Sequence, residues 1–204
     1  MKKIALYLCL VGAYLANGQA LSIGNNRLLT AQLDSILTYD QKYRMMIEEI
    51  EAKHGPESPE MKALWKTIQK NDSLNLIQVT NILEKYGWLG ADAVGERGNS
   101  ALFFVIQHAD LKAQEKYLPM MRQAVKDGKA NGSQLAMLED RVAIRQGRKQ
   151  IYGSQITRDN QTGTYSISPI EDEANVNKRR AAVGLMPLEE YVKRWNIEYK
   201  VPEK

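Results

Sequence analysis

Cysteine is almost absent from this chain of 204 residues: one is present, Cys9. It lies inside an apolar stretch near the N-terminus. A disulfide framework is therefore excluded, and so is a cysteine-built zinc site. Histidine is equally scarce, with only His54 and His108, so a zinc centre is not expected and no metal or other cofactor is called for. Aromatic residues make up 7% of the chain, too few for extended base-stacking surfaces. No run of lysine or arginine exceeds three residues, and the net charge is only +4. Nucleic acid is not an expected partner. The motifs G-x-x-x-x-G-K-[ST], H-E-x-x-H and G-x-S-x-G are missing, which removes the commonest nucleotide, zinc-hydrolase and serine-hydrolase signatures. "GADAVGERG" holds glycines but lacks the strand and spacing of a dinucleotide fold.

One apolar run is long enough to carry meaning. "MKKIALYLCLVGAYLANGQA" has a basic start, an apolar stretch from Ile4 to about Ala16, and small residues at Gly18 and Ala20. That is the pattern of a secretory signal peptide over residues 1–20. The stretch falls short of the ~20 residues a spanning helix needs. Leu8 before Cys9 does not fit a lipoprotein cleavage site. Loss of Lys2 and Lys3 leaves a charge of about +2 on the mature chain. Residues 21–204 are then expected to form an exported domain, periplasmic or secreted, with no membrane insertion after cleavage.

The rest reads as mostly α: a single-domain helical bundle with one small β-hairpin in the C-terminal third. Apolar residues recur three or four apart from Leu29 to Ile50, predicting a first helix over about 27–53. "HGPESP" breaks it. Ser58 is placed to cap a second helix that opens on Pro59 and ends at Gly87, with Asp72-Ser73 as a possible restart. "GWLGADAVGERGNS" reads as a glycine-rich connection. An apolar helix follows over 100–109, another over about 113–126 bent near Pro119, and one over 133–146. "KQIYGSQI" and "GTYSIS" flank the turn-rich "TRDNQTG", predicting a hairpin at about 149–168. Short helices over 171–183 and 187–195 close the chain.

Polar residues interrupt these apolar stripes, and a buried charge without a partner is costly. Asp40 falls between Ile36 and Tyr43, with Gln41 and Arg44 nearby. Asp72 fills the gap between Ile68 and Leu76, with Asn75 beside it. In the last long helix, "LAML" and "VAI" enclose Glu139, Asp140 and Arg141, so at least one of the three faces other protein. The run over 101–106 leaves its helix no polar face and ends in Gln107, His108 and Asp110. His108 and Asp110 do not share a helical face, so the expected partner of His108 is Asp140 or Glu139.

The blocks "DQKYR" (40–44), "DSLNL" (72–76), "GWLGADAVGERGNSALFFVIQHADLKAQEKYLP", "LEDRVAIRQGRKQIYGSQ" and "RRAAVGLMPLEEY" together resemble an uncharacterised bacterial family of domains of unknown function. Its pattern runs close to G-W-P…V-G…Q-H-A-D…L-x-D-R-V…G-x-x-Q-x-Y-G-T-Q…R-R-x-x-V-G-L. Leu89 stands where the pattern has proline and Ser154 where it has threonine. The resemblance names relatives and implies no activity. Its motif positions include most of the stripe-breaking residues and add Gln150, Tyr152, Gly153 and Gln155, neutral groups suited to orienting a ligand.

Three functions follow as expectations. The first is a small-molecule-binding domain or water-activating hydrolase, with His108 as general base or acid, Asp140 orienting it, and Arg141 or Arg44 holding an anionic group. Asp40, Gln41, Arg44, Asp72, Asn75, Gln107, Asp110, Gln150, Tyr152 and Gln155 then line the ligand site. The second is a non-catalytic envelope interaction domain whose ion pairs only fix packing. The third is a carboxylate metal site, which requires Asp40, Asp72, Asp110 or Asp140 to converge.

Overall fold

A computed structural model describes residues 23–159 and 162–202. The expected signal peptide lies outside the described residues. The architecture is a helical bundle with one small antiparallel hairpin. No helix of the described residues is long and apolar enough to cross a membrane.

Helix α1 (Ile23–Lys42) buries Leu29, Leu33, Ile36 and Leu37 and packs along α4 (Ala91–His108). The helix expected over 27–53 is in fact broken. A 3-10 turn at Arg44–Met46 separates α1 from α2 (Ile47–His54). At the break, Arg44 Nη1 donates to the Asp40 carbonyl at 2.7 Å, the acceptor that the Arg44 amide uses in a continuing helix.

Helix α3 (Pro59–Tyr86) runs unbroken for 28 residues, about 42 Å at 1.5 Å per residue. Ser58 caps it, its side chain accepting from the Met61 amide at 3.1 Å, with Pro59 at the first helical position. Ser58→Ala should lower the unfolding free energy by about 1 kcal/mol in urea titration. Ser73 does not restart the helix, because its hydroxyl donates back to the Gln69 carbonyl at 2.9 Å.

Only residues 87–90 of the glycine-rich segment are a connection. The rest forms the first turns of α4, which is interrupted only at Gly95, where φ is 73°. Gly98 sits so close under Val94 that an added Cβ would lie 3.0 Å from it. Beyond this point α4 buries Ala101, Leu102, Phe103, Val105 and Ile106 and occupies the centre of the main core. Helices α5 (Leu111–Lys126) and α6 (Gly132–Arg145) pack on each other beside it. Asp110 caps α5, its Oδ1 accepting from the Ala113 amide at 2.8 Å.

The hairpin is shorter than expected. Strands β1 (Ile156–Arg158) and β2 (Tyr165–Ile167) pair with Ile156 opposite Ile167. Residues 149–155 form a loop instead of a strand, touching β-structure only through a single bridge between Gln150 and Ile170. A 3-10 turn at Glu173–Asn175, α7 (Val176–Ala182), α8 (Leu188–Tyr191) and a 3-10 turn at Val192–Trp195 complete the fold. They enclose a separate small core of Ile170, Val176, Leu188 and Val192.

Candidate functional site

The last turn of α4 carries His108 to the C-terminal end of α1 and the middle of α3. Its ring stacks on Phe104, centroids 6.0 Å apart and planes at 24°. Its Nδ1 lies 3.1 Å from Asp40 Oδ1. The carboxylate facing His108 is thus Asp40 from α1, and not Asp140 or Glu139 from α6. Asp40 is only 1% exposed. It accepts from Gln41 Nε2 at 2.7 Å on Oδ2, and Arg44 Nη1 stands 3.5 Å from Oδ1. Arg44 Nη2 in turn reaches both oxygens of Asp72, at 2.8 Å each. One continuous chain of charges, Asp72–Arg44–Asp40–His108, therefore links α3, α1 and α4.

Burial alone would raise the Asp40 carboxyl. The His108 hydrogen bond and charge, with Arg44 and Gln41, outweigh burial and hold the carboxyl below its ordinary value of 3.8. A depressed folded-state pKa contributes stability that is complete above the unfolded-state value and drains as pH falls through the folded-state value. Between about pH 4 and the folded-state value, the parent should therefore lose stability more steeply than Asp40→Asn. Urea unfolding of both proteins at stepped pH measures this, and parallel acid profiles would refute it.

Asp40, Asp72 and His108 each offer one ligand-type atom, and these atoms lie within 4.8 Å of one another. The spacing suits a divalent cation, but the occupancy does not. Arg44 already holds Asp72, and Nδ1 of His108 already faces Asp40, so an ion would have to displace a guanidinium. Asp110 and Asp140 stand elsewhere, as a helix cap and a loop anchor.

Asp140 has 0% exposure and no place beside His108. Its two oxygens accept from the amides of Ile151 at 2.7 Å, Tyr152 at 3.0 and 3.2 Å, and Ser154 at 2.9 Å. It holds the 150–154 loop by its backbone. Gln150 staples the same loop: its Nε2 donates to the carbonyls of Gln155 and Ser168, and its Oε1 accepts from the Gln155 amide. Tyr152 gives its carbonyl to Arg180. Gly153 is required because an added Cβ would meet Leu188 at 2.9 Å. Apolar packing, not a ligand, fills that space.

Arg141 points back toward the His108 end of α4. Its Nε donates to Gln155 Oε1 at 3.0 Å and its Nη1 to the Gln107 carbonyl at 2.9 Å. Burial, with the neighbouring Arg145 and Arg44 charges, pulls its guanidinium down to about 10, still charged at neutral pH. The Gln107 carbonyl also accepts from the buried Gln114 Nε2. Asn75 Nδ2, Gln107 Oε1 and Gln114 Oε1 are buried without a protein partner.

Residues 28–203 match a family of unknown function (DUF6624). The chain belongs to this family. Membership agrees with the resemblance carried by the sequence blocks, and the match takes in both the helical body and the C-terminal core. No curated protein and no solved structure matches the chain.

The structure joins Asp40, Gln41, Arg44, Asp72 and His108, five of the expected site residues, and the carboxylate at the imidazole is Asp40 where Asp140 or Glu139 was expected. Asp110, Gln150 and Tyr152, expected to line the ligand site, and Asp140, expected to orient His108, make capping and anchoring contacts. Sequence reasoning misses Phe104, Gln114 and Arg145. Gln114 carried a signal, since it lies on the same helix face as the buried Tyr117, Leu118 and Met121, one turn before them.

Proposed function

We propose that this exported chain is a hydrolase in which His108 activates water and Asp40 orients it. The contact of His108 Nδ1 with a buried carboxylate carries the reading. A carboxylate on Nδ1 favours the tautomer with its proton on that nitrogen, leaving Nε2 as the acceptor. Gln41 and Arg44 hold the carboxylate in place. In an ester substrate, water oxygen bonds to the acyl carbon as Nε2 takes the water proton. The carbon–oxygen ester bond then breaks, and the imidazolium returns that proton to the departing alkoxide.

A groove of about 570 Å³ adjoins the pair. Leu37, Thr38, Gln41, Arg97, Ser100 and Phe104 are among its walls, mixing apolar, neutral polar and charged groups. It reaches the pair through Gln41, which donates to Asp40, and Phe104, which stacks on His108. Hydrolysis of a panel of p-nitrophenyl esters tests the reading. The parent should cleave one or more of them, and His108→Gln should lose that cleavage.

A second reading is a non-catalytic envelope domain in which the charges serve packing alone. Two observations favour it: His108 does not line the groove, and every member of the Asp72–Arg44–Asp40–His108 chain has a partner. It requires that no ester be cleaved, and that His108→Gln change stability without changing any rate.

A further inference from the structure

Five arginines among the described residues face carboxylates: Arg44 meets Asp72, Arg97 meets Asp34, Arg122 meets Glu139, Arg158 meets Glu51 and Arg179 meets Asp172. Arg141 and Arg145 do not, and neither do Arg148, bonded to Gln146, and Arg180, bonded to the Met186 and Tyr152 carbonyls. What sets Arg141 and Arg145 apart is their pairing. Among the described residues neither has a carboxylate partner, and both come from one face of α6, a single turn apart. Their only protein partners are neutral. Arg141 uses Nε on Gln155 and Nη1 on the Gln107 carbonyl. Arg145 uses Nη1 on the Ala109 carbonyl at 2.6 Å.

Those two carbonyls flank His108 at the C-terminal end of α4. The negative end of a helix offsets part of a positive charge, so it pins the two guanidinium groups without neutralising them. Arg44 offers no relief, because Asp72 occupies it and it adds a third positive charge nearby. Arg141 Nη2, Arg145 Nε and Arg145 Nη2 have no partner among the described residues. Arg141 is half-buried and Arg145 exposed, which makes a floor and a rim.

We propose that Arg141 and Arg145 form a subsite for a phosphate dianion at the helix end that carries His108. Two unmatched positive charges call for a doubly charged anion, and guanidinium forks match the paired oxygens of a phosphoryl group. The subsite selects substrates that carry a phosphate as an anchoring group, a role that rests on the reading of His108 as the reacting residue. It also removes Arg44 from the anion-binding role and gives that role to Arg145.

Titration calorimetry of the purified protein with inorganic phosphate tests the subsite without any turnover. Acetate at matched ionic strength is the single-charge comparison. Phosphate should bind, and acetate should bind about tenfold more weakly or not at all. Arg145→Gln, at an exposed position, should lose about tenfold in phosphate affinity. Arg141→Lys keeps the charge in its half-buried place but loses the fork, and should show a similar loss. His108→Gln should bind phosphate like the parent. Absence of phosphate binding, equal binding of acetate, or affinity unchanged in both arginine variants would overturn the proposal. Phosphate binding by a protein that cleaves no ester would sustain the subsite and remove the hydrolase reading.

Discussion

Asp140→Asn should lower the unfolding free energy by about 3 kcal/mol, and Asp140→Ala by more. The reason is the number of amides that depend on one side chain. Three backbone N–H groups, from Ile151, Tyr152 and Ser154, end on the two oxygens of a carboxylate with 0% exposure. Asparagine keeps one oxygen and turns an NH2 toward amide donors that can only repel it. At least one amide is orphaned, and an unsatisfied buried donor costs about 1–3 kcal/mol on top of the lost charge-assisted bonds. Urea unfolding followed by circular dichroism measures the loss. A shift under about 1 kcal/mol would mean that the loop is held by Gln150 and Arg180 instead. No direct effect on chemistry is expected from Asp140, since it stands apart from the imidazole.

His108→Gln should reduce ester hydrolysis by about a hundred- to ten-thousand-fold, the range typical for removing a general base. Glutamine is chosen because its amide N–H can still donate to Asp40, so the buried carboxylate keeps a partner and the fold is spared. Asp40→Asn gives the complementary result. An asparagine NH2 on Nδ1 drives the imidazole proton to Nε2, leaving the base present but in the wrong tautomer. Both variants should lose the rate while melting within a few degrees of the parent. Parent-like rates in His108→Gln would end the catalytic reading and leave the packing one.

Much of this arrangement is legible in sequence, and for a physical reason. Apolar periodicity marks helix faces, so the stripes of α1, α3 and α6 appear directly, and a charge set into a stripe must meet protein. What periodicity lacks is long-range pairing. Asp40 and His108 are 68 residues apart, and no local spacing says which buried carboxylate an imidazole meets. Two boundary errors have different origins. Tyr43, Ile47 and Ile50 keep helical spacing across the break at 44–46, so the stripe hides the turn there. Residues 149–155 have strand-like composition, but Asp140 captures the amides that a strand would offer to its neighbour. The glycines of 87–98 misled because only Gly95 breaks the α4 backbone, while Gly98 answers close packing.

The C-terminal core of Ile170, Val176, Leu188 and Val192 is distinct from the main one. Polar ties from α6 help to join the two: Asp140 to the 151–154 amides, and Arg141 to Gln155. Two cores joined by a polar seam are expected to act as two cooperative units, the smaller opening at a lower free energy than the larger. Among the described residues Gln155 is one of two groups that hydrogen-bond Arg141, so such an opening would release that arginine. The proposed anion subsite would then assemble only as often as the C-terminal unit is closed, through a single amide side chain.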